Sequence, residues 1–178
     1  MTMVAVIPFV AEVHLEETVQ VLMRVRQADP TYPPQADVDV DETAESFSSW
    51  LMEAPALSRW VAIVDGHVAG HVMVGGAHDY LITHLRSFGF RSKGSKGIVE
   101  VGKVFVDPLR QRLGIGASLL ATARSFSWAR GLQPCLAVVV TSYDAIRLYQ
   151  REGLIIQGRF FGLHGENLVL ADEGVGSK

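Results

Sequence analysis

Hydrophobic positions recur along the chain at two spacings, which predict strands and helices in turn. Short apolar runs at residues 3–10 and 135–140, and the Val-rich stretch "IVEVGKVFV" at residues 98–106, predict strands. In residues 12–28 the apolar residues recur instead every three or four positions, which predicts a helix. The apolar positions of that helix are Leu15, Val19, Leu22 and Val25. Pro30, Pro33 and Pro34 follow it, and proline does not continue a helix.

The stretch "RWVAIVDGHVAGHVMVGG" predicts a β-hairpin. Two β-rich runs flank Asp65-Gly66, and this dipeptide favours the two-residue turn in which both central residues adopt positive φ. A shorter helix is predicted just before it, in "DETAESFSSWL". Residues 77–97 show no clear period and are predicted as a loop.

The second half of the chain alternates helix and strand. A helix follows Gly114 with apolar positions at Ile115, Leu119, Ala123 and Phe126. Another lies in "SYDAIRLYQREG" and stops at Gly153, and two strands close the chain in "LIIQGRFFG" and "ENLVLA". Strands that alternate with helices in this way predict an α/β domain with a mixed sheet.

Composition narrows the class of protein. The chain has 178 residues, 48% of them hydrophobic and 20% charged, which suits a single packed domain. A net charge of −3 argues against a general binder of nucleic acids or membrane surfaces. Cys135 stands alone, so neither an internal disulfide nor a cysteine-based metal site is expected. We find neither a signal peptide pattern nor a membrane-length apolar run and expect a cytoplasmic protein.

The stretch "RQRLGIG", residues 110–116, combines positive charge with bare backbone between a strand and a helix. The first turn of a helix has unpaired N–H groups and a partial positive charge, which favour a phosphate or pyrophosphate. The P-loop pattern is absent, and Leu119 stands where a dinucleotide-binding fingerprint needs its third glycine. The alternative is a tight turn beside two solvated arginines, Arg110 and Arg112.

Two motifs together resemble the GCN5-related N-acetyltransferase (GNAT) family. In "VFVDPLRQRLGIGASLL", Gln111, Gly114 and Gly116 match the family's Gln/Arg-x-x-Gly-x-Gly/Ala signature. In "SYDAIRLYQREGL", Ala145 and Tyr149 have the spacing of its second motif, as does Gly153. The match is specific over residues 98–154 and follows the element order elsewhere. Ser142 and Leu154 depart from the usual asparagine and phenylalanine.

The resemblance implies a GNAT-like α/β fold, with a mostly antiparallel sheet of six to seven strands and about four helices. The N-acetyltransferase domain would cover residues 1–172, followed by a flexible tail at residues 173–178. Acetyl-CoA would be the co-substrate, with its pyrophosphate on the glycine loop and its pantetheine arm along the preceding strand. The implied cofactor-binding residues are Val104, Phe105, Val106, Gln111, Arg112, Leu113, Gly114, Ile115, Gly116, Ala117, Ser142 and Ala145.

The resemblance also suggests two catalytic residues. Tyr149 would donate a proton to the leaving thiolate; the alternative is a core aromatic beside Ile146. Glu100 lies four residues before Val104, where several family members place a base, and strand alternation would put both on one face. The alternative is a structural glutamate. His71 and His78 are weaker candidates for the base.

These features favour transfer of an acetyl group to a primary amine of a small molecule or peptide, by direct attack in a ternary complex. The alternative is a GNAT-like acyl-CoA-binding sensor or interaction module without efficient turnover. The sequence does not specify the acceptor. We expect no metal, nucleic acid or membrane as partner. The closing strands, with Phe160 and Phe161, are a candidate homodimer interface.

Overall fold

Strands and helices follow one another along the chain in a computed structural model that describes residues 3–34, 42–53, 55–162 and 165–174. Within these residues seven strands form one sheet of order β1-β2-β3-β4-β5-β7-β6. The strands are β1 (Val4–Pro8), β2 (Ala56–Val64), β3 (His67–Gly76), β4 (Ile98–Val106), β5 (Gln133–Val139), β6 (Leu154–Gly162) and β7 (Gly165–Asp172). The helices are α1 (Ala11–Ala28), α2 (Ala44–Glu53), α3 (Asp79–Ser87), α4 (Ile115–Trp128) and α5 (Tyr143–Arg151).

The sheet is mixed and mostly antiparallel, as predicted. Antiparallel pairing joins β1 to β2, β5 to β7 and β6 to β7, whereas β4 and β5 run parallel. The turn between β2 and β3 has φ of 51° at Asp65 and 81° at Gly66, which confirms the predicted two-residue hairpin.

The chain divides into two compact units, which are described separately. The first comprises Met1–Met73 and Lys103–Leu119. Its core joins α1 and α2 to strand residues, and the buried side chains are Val19, Val21, Leu22, Phe47, Trp50, Leu51, Val61, Val68 and Phe105. The helical members recur three or four residues apart in each helix, so burial of one apolar face explains both helices.

The second unit comprises Val74–Gly102 and Leu120–Lys178. It contains α3, which the sequence pattern had placed in a loop at residues 77–97. Leu81 and Leu85, one helical turn apart, are 0% and 1% exposed and pack with Cys135, Phe160, Val169 and Ala171. Only these two positions mark the buried face of the helix, and two positions are too few to reveal a helical period in the sequence.

The end of β7 is held by buried polar contacts. The Asp172 carboxylate is fully buried and accepts hydrogen bonds from Arg124 Nε at 2.6 Å and Trp128 Nε1 at 3.0 Å. Of the predicted tail, Glu173 pairs with Lys93, and the Gly174 N–H donates to Asp172 at 3.0 Å. These two residues are therefore anchored, and residues 175–178 lie outside the described residues.

The predicted homodimer interface is wrong in one of its two aromatic residues. Phe160 is 9% exposed and belongs to the core of the second unit, so it is not available to a partner. Phe161 is 83% exposed.

The buried carboxylate of Asp107, just after β4, forms an ion pair with the partly exposed Arg24. Arg24 of α1 donates from Nη2 at 2.6 Å and from Nε at 3.3 Å, and the Leu109 N–H donates at 3.0 Å. Burial by itself raises the pKa of Asp107, but the hydrogen bonds from Arg24 and Leu109 outweigh it and leave the pKa below its ordinary value. The carboxylate therefore stabilises the fold above about pH 3.9 and loses this contribution as the pH falls through its folded pKa.

We expect Asp107→Asn to lower the free energy of unfolding at neutral pH by about 1–2 kcal/mol, since it leaves the Arg24 guanidinium without its anion. The difference from wild type should shrink as the pH falls below about 4. Urea unfolding followed by tryptophan fluorescence measures both. Asp144→Asn breaks an exposed pair with Arg147 and is the control. Equal losses of unfolding free energy in the two variants would contradict a stabilising role for Asp107.

Candidate active site

The glycine loop presents open amides at the start of α4. Pro108–Arg110 form a 3-10 turn capped by the Asp107 side chain, and the chain then turns through φ of 65° at Arg112 and 75° at Gly114. The first bond of the following helix runs from the Ser118 N–H to the Gly114 carbonyl at 3.0 Å. The amides of residues 114–117 therefore have no acceptor within the helix, which makes this end suitable for an anion.

Gly114 suits its position in two respects. Its φ lies in the left-handed region, and a Cβ built on it would meet nothing within 4 Å. The surface above this amide is therefore open, and a ligand can approach the backbone closely. Gln111 and Leu113 are exposed beside it, whereas Ile115 is 2% exposed, so that only its backbone can face a ligand.

The two arginines of the loop differ in their surroundings. Arg110 Nη1 donates to the Val64 carbonyl at 3.2 Å and lies 3.3 Å from the Asp65 carboxylate, so this charge is tied to the β2–β3 turn. Arg112 is exposed, and no side-chain partner is recorded for it among the described residues. Of the two, Arg112 has the charge available to an anion.

Val104, Phe105 and Val106 end β4, and of the three only Phe105 is buried. Phe105 is 4% exposed and its ring stacks on His71, with centroids 5.3 Å apart. Lys103, just before them, has φ of 50°, so β4 is not regularly extended at this point. Val99, Val101 and Phe105 are nevertheless buried while Glu100 and Val104 are not, so the shared face of Glu100 and Val104 stays a prediction.

His71 is a structural residue. It is fully buried, and its Nδ1 lies 2.8 Å from the Lys103 carbonyl, to which a protonated Nδ1 donates. Burial lowers the pKa of His71 to about 3, so the ring is neutral at physiological pH. Its Nε2 is buried without a partner within the described part of the chain. A base must exchange protons with a substrate, and the sealed ring of His71 has no route to one.

Glu100 is the centre of a hydrogen-bonded group in the second unit. Its Oε2 accepts the His78 backbone N–H at 3.1 Å and lies 2.7 Å from His78 Nδ1. Its Oε1 accepts the Tyr80 hydroxyl at 3.3 Å. We call Glu100, His78 and Tyr80 the Glu100 cluster. Sequence reasoning treated His78 as a separate and weaker candidate and missed Tyr80, because the helix that brings both to β4 was not detected.

Glu100 also occupies a distinctive position in the sheet. The parallel pairing of β4 with β5 is recorded from Ile98–Gln133 to Glu100–Cys135, so Glu100 is in its last pair. Beyond that pair β5 continues to Val139, and α5 begins shortly after.

Tyr149 projects from α5 and is 8% exposed. No hydrogen-bond partner is recorded for its hydroxyl among the described residues, and burial raises the pKa of Tyr149 to about 12. The hydroxyl therefore stays protonated at neutral pH and can donate a hydrogen bond. Ser142 precedes the same helix but makes no side-chain cap, so its hydroxyl is not used by α5. Ala145 is half-buried on this helix.

Metal sites and membrane-spanning helices are both absent from the described ranges. No group of three or more His, Cys, Asp or Glu side chains there is arranged to hold a metal ion. None of the described helices combines the length and the hydropathy needed to cross a bilayer.

The profile of the acetyltransferase (GNAT) family matches residues 21–154. The chain belongs to this family. The match covers β4, the glycine loop and α5, the elements in which the two sequence motifs were found. No curated protein matches the chain significantly.

Solved structures of the same fold cover nearly the whole chain. A GNAT acetyltransferase from Streptococcus pneumoniae is 18% identical, with a TM-score of 0.67 over 96% of this chain and 98% of that one. NAA60 from Arabidopsis thaliana in complex with acetyl-CoA is 18% identical, with a TM-score of 0.66 over 95% and 97%. The PaiA N-acetyltransferase from Thermoplasma acidophilum in complex with coenzyme A is 12% identical, with a TM-score of 0.64 over 97% and 99%. At these identities the likeness shows the GNAT fold.

We expect the Tyr149 hydroxyl of this GNAT protein to remain protonated well above the ordinary tyrosine midpoint of about pH 10, because burial disfavours the phenolate. ¹³Cζ NMR of the tyrosine rings, assigned with Tyr149→Phe, measures this directly. Tyr143→Phe, at an exposed site on the same helix, controls for substitution in α5. Ionisation of Tyr149 near pH 10 in the folded protein would show that the ring is solvated.

Proposed function

We propose that this protein is an acetyl-CoA-dependent N-acetyltransferase that acetylates a primary amine of a small molecule or peptide by direct attack in a ternary complex. The observation that carries the proposal is the row of open amides at residues 114–117, at the start of the helix in a strand–loop–helix segment that matches the GNAT family. The complexes of NAA60 with acetyl-CoA and of PaiA with coenzyme A support the same ligand class.

The residues present fit the pyrophosphate of acetyl-CoA. Gly114, Ile115, Gly116 and Ala117 offer backbone N–H groups, and the space above Gly114 would be closed by any side chain. Arg112 adds a positive charge, while Gln111 and Leu113 flank it. The backbone of residues 104–106 would align the pantetheine arm, and holding reactants in line removes several kcal/mol from a barrier.

Acetyl-CoA supplies the acetyl group as a thioester. The protein must then hold the acceptor, remove a proton from its ammonium, and stabilise the thiolate that leaves. We assign removal of the proton from the acceptor ammonium to the Glu100 cluster, because this cluster is centred on a carboxylate of β4. Ser142 and Ala145 would contact the ligand from the start of α5.

Tyr149 would stabilise the leaving thiolate. With its pKa raised to about 12, the hydroxyl is a weaker acid than a thiol of about 8.5, so full proton transfer to the thiolate is uphill. A hydrogen bond from the hydroxyl to the sulfur still stabilises the charge as it develops. The role of Tyr149 is therefore foremost that of a donor, and the final proton on CoA comes from the reacting amine.

Gly114→Glu should abolish acetyl-CoA binding measured by calorimetry, because it places bulk and negative charge over the open amides. Gly89→Glu is the matched control: Gly89 also has φ of +75° with nothing within 4 Å of a built Cβ. The control therefore carries the same backbone strain away from the loop and should bind normally. Absence of wild-type binding would overturn the acetyl-CoA assignment.

Tyr149→Phe should lower kcat about 100-fold while leaving the acetyl-CoA Kd within about two-fold, since the hydroxyl acts on the leaving sulfur. Release of the CoA thiol in a screen of small primary amines and a tripeptide measures kcat. Unchanged turnover would show that Tyr149 is a core aromatic residue without a catalytic role. Binding of acetyl-CoA by the wild type without turnover of any amine would favour the acyl-CoA-binding sensor.

A further inference from the structure

The carboxylate of Glu100 is already engaged on both oxygens. Oε2 holds two donors of His78, its backbone N–H and its ring Nδ1, and Oε1 holds the Tyr80 hydroxyl. The Glu100 side chain is 14% exposed, whereas that of His78 is 61% exposed. The imidazole of His78 is therefore more accessible to an incoming ammonium than the carboxylate is.

The contact with Glu100 also fixes which ring nitrogen of His78 carries the proton. An ionised carboxylate only accepts hydrogen bonds, so the short contact of 2.7 Å requires a proton on Nδ1. In the neutral ring the lone pair then lies on Nε2, on the side of the ring opposite to Glu100. This is the arrangement of a histidine base oriented by a carboxylate.

The ring of His78 is fixed in place by contacts from two elements. Tyr80 of α3 stacks on it with centroids 5.7 Å apart and an interplanar angle of 24°. Tyr80 in turn packs against Phe160 of the core, at 5.8 Å. Glu100 of β4 and Tyr80 of α3 are the titratable groups recorded in contact with the ring among the described residues, and Asp79 follows His78 in the first turn of the helix.

We propose that Nε2 of His78 removes the proton from the acceptor ammonium and that Glu100 is the positioning residue that holds His78 in the reactive tautomer. This inference rests on the proposed N-acetyltransferase function. One N–H bond of the ammonium breaks and an Nε2–H bond forms, which leaves a neutral amine and an imidazolium paired with Glu100. When the amine's C–N bond forms and the thioester's C–S bond breaks, a second amine proton passes to the thiolate. Nε2 then releases its proton to solvent.

Kinetics of His78→Gln and Glu100→Gln distinguish the base from its positioning residue. We expect His78→Gln to lower kcat about 100-fold and Glu100→Gln about 10-fold, with calorimetric Kd values for acetyl-CoA close to wild type. The acid limb of the pH profile of kcat/KM should be lost in His78→Gln and should persist in Glu100→Gln. The reaction is release of the CoA thiol with the best amine from the same screen of small amines and a tripeptide.

A second histidine–glutamate pair of the chain provides the matched control. His67 Nδ1 lies 2.9 Å from Glu17 Oε1, and the His67 side chain is 66% exposed, much like that of His78. His67→Gln removes an equivalent surface pair from the β2–β3 hairpin and should leave kcat and the pH profile unchanged.

The opposite pattern of pH profiles would overturn the inference. If the acid limb survives in His78→Gln and disappears in Glu100→Gln, the carboxylate is itself the base. If His78→Gln matches wild type while wild type turns over amines, His78 has no role in proton transfer and the N-acetyltransferase assignment still stands. A wild type that fails to bind acetyl-CoA, or binds it without turnover, contradicts the proposed function, and the assignment of His78 falls with it.

Long-range ¹H–¹⁵N NMR of the histidine rings tests the geometry without any substrate. We expect neutral His78 to carry its proton on Nδ1 in the wild type and to become a mixture of tautomers in Glu100→Gln. A neutral His78 in the wild type with its proton on Nε2 would overturn the inference, because no lone pair would then face the acceptor.

Discussion

The buried carboxylate of Asp107 determines how the chain leaves β4 and enters the glycine loop. Its backbone N–H donates to the Ala69 carbonyl of β3 at 2.9 Å, which continues the sheet to this residue. Its side chain accepts from Arg24 of α1 and caps the 3-10 turn at Leu109. Three separate parts of the first unit therefore converge on one residue, and the direction of the loop follows from them.

Strand β4 makes specific side-chain contacts near both of its ends. Near one end the ring of Phe105 stacks on the ring of buried His71, with centroids 5.3 Å apart. At the other end Glu100 gathers His78 and Tyr80 from the start of α3. A single strand thus carries a buried aromatic contact near one end and the carboxylate of the Glu100 cluster near the other.

Burial gives similar side chains different chemical roles in this protein. His71 and His78 are seven residues apart, but the first is sealed between aromatic rings and the second is open on a carboxylate. Desolvation keeps the first neutral and inert, whereas the second is largely exposed to solvent. Tyr149 shows the same effect in another form, since burial of its ring turns a weak acid into a persistent hydrogen-bond donor.

The sequence by itself determined the features that depend on neighbouring residues. The Asp65-Gly66 hairpin, the proline-bounded helix α1 and the glycine loop follow from local backbone preferences, and the family follows from two motifs of fixed spacing. Only the tertiary structure decided that α3 forms, because its helical face is defined by just Leu81 and Leu85 and is stabilised by residues distant in sequence. It also decided that Arg110 is tied to a turn and that Glu100 holds His78. Such pairings join residues more than twenty positions apart, and no local pattern encodes which of several polar side chains will meet.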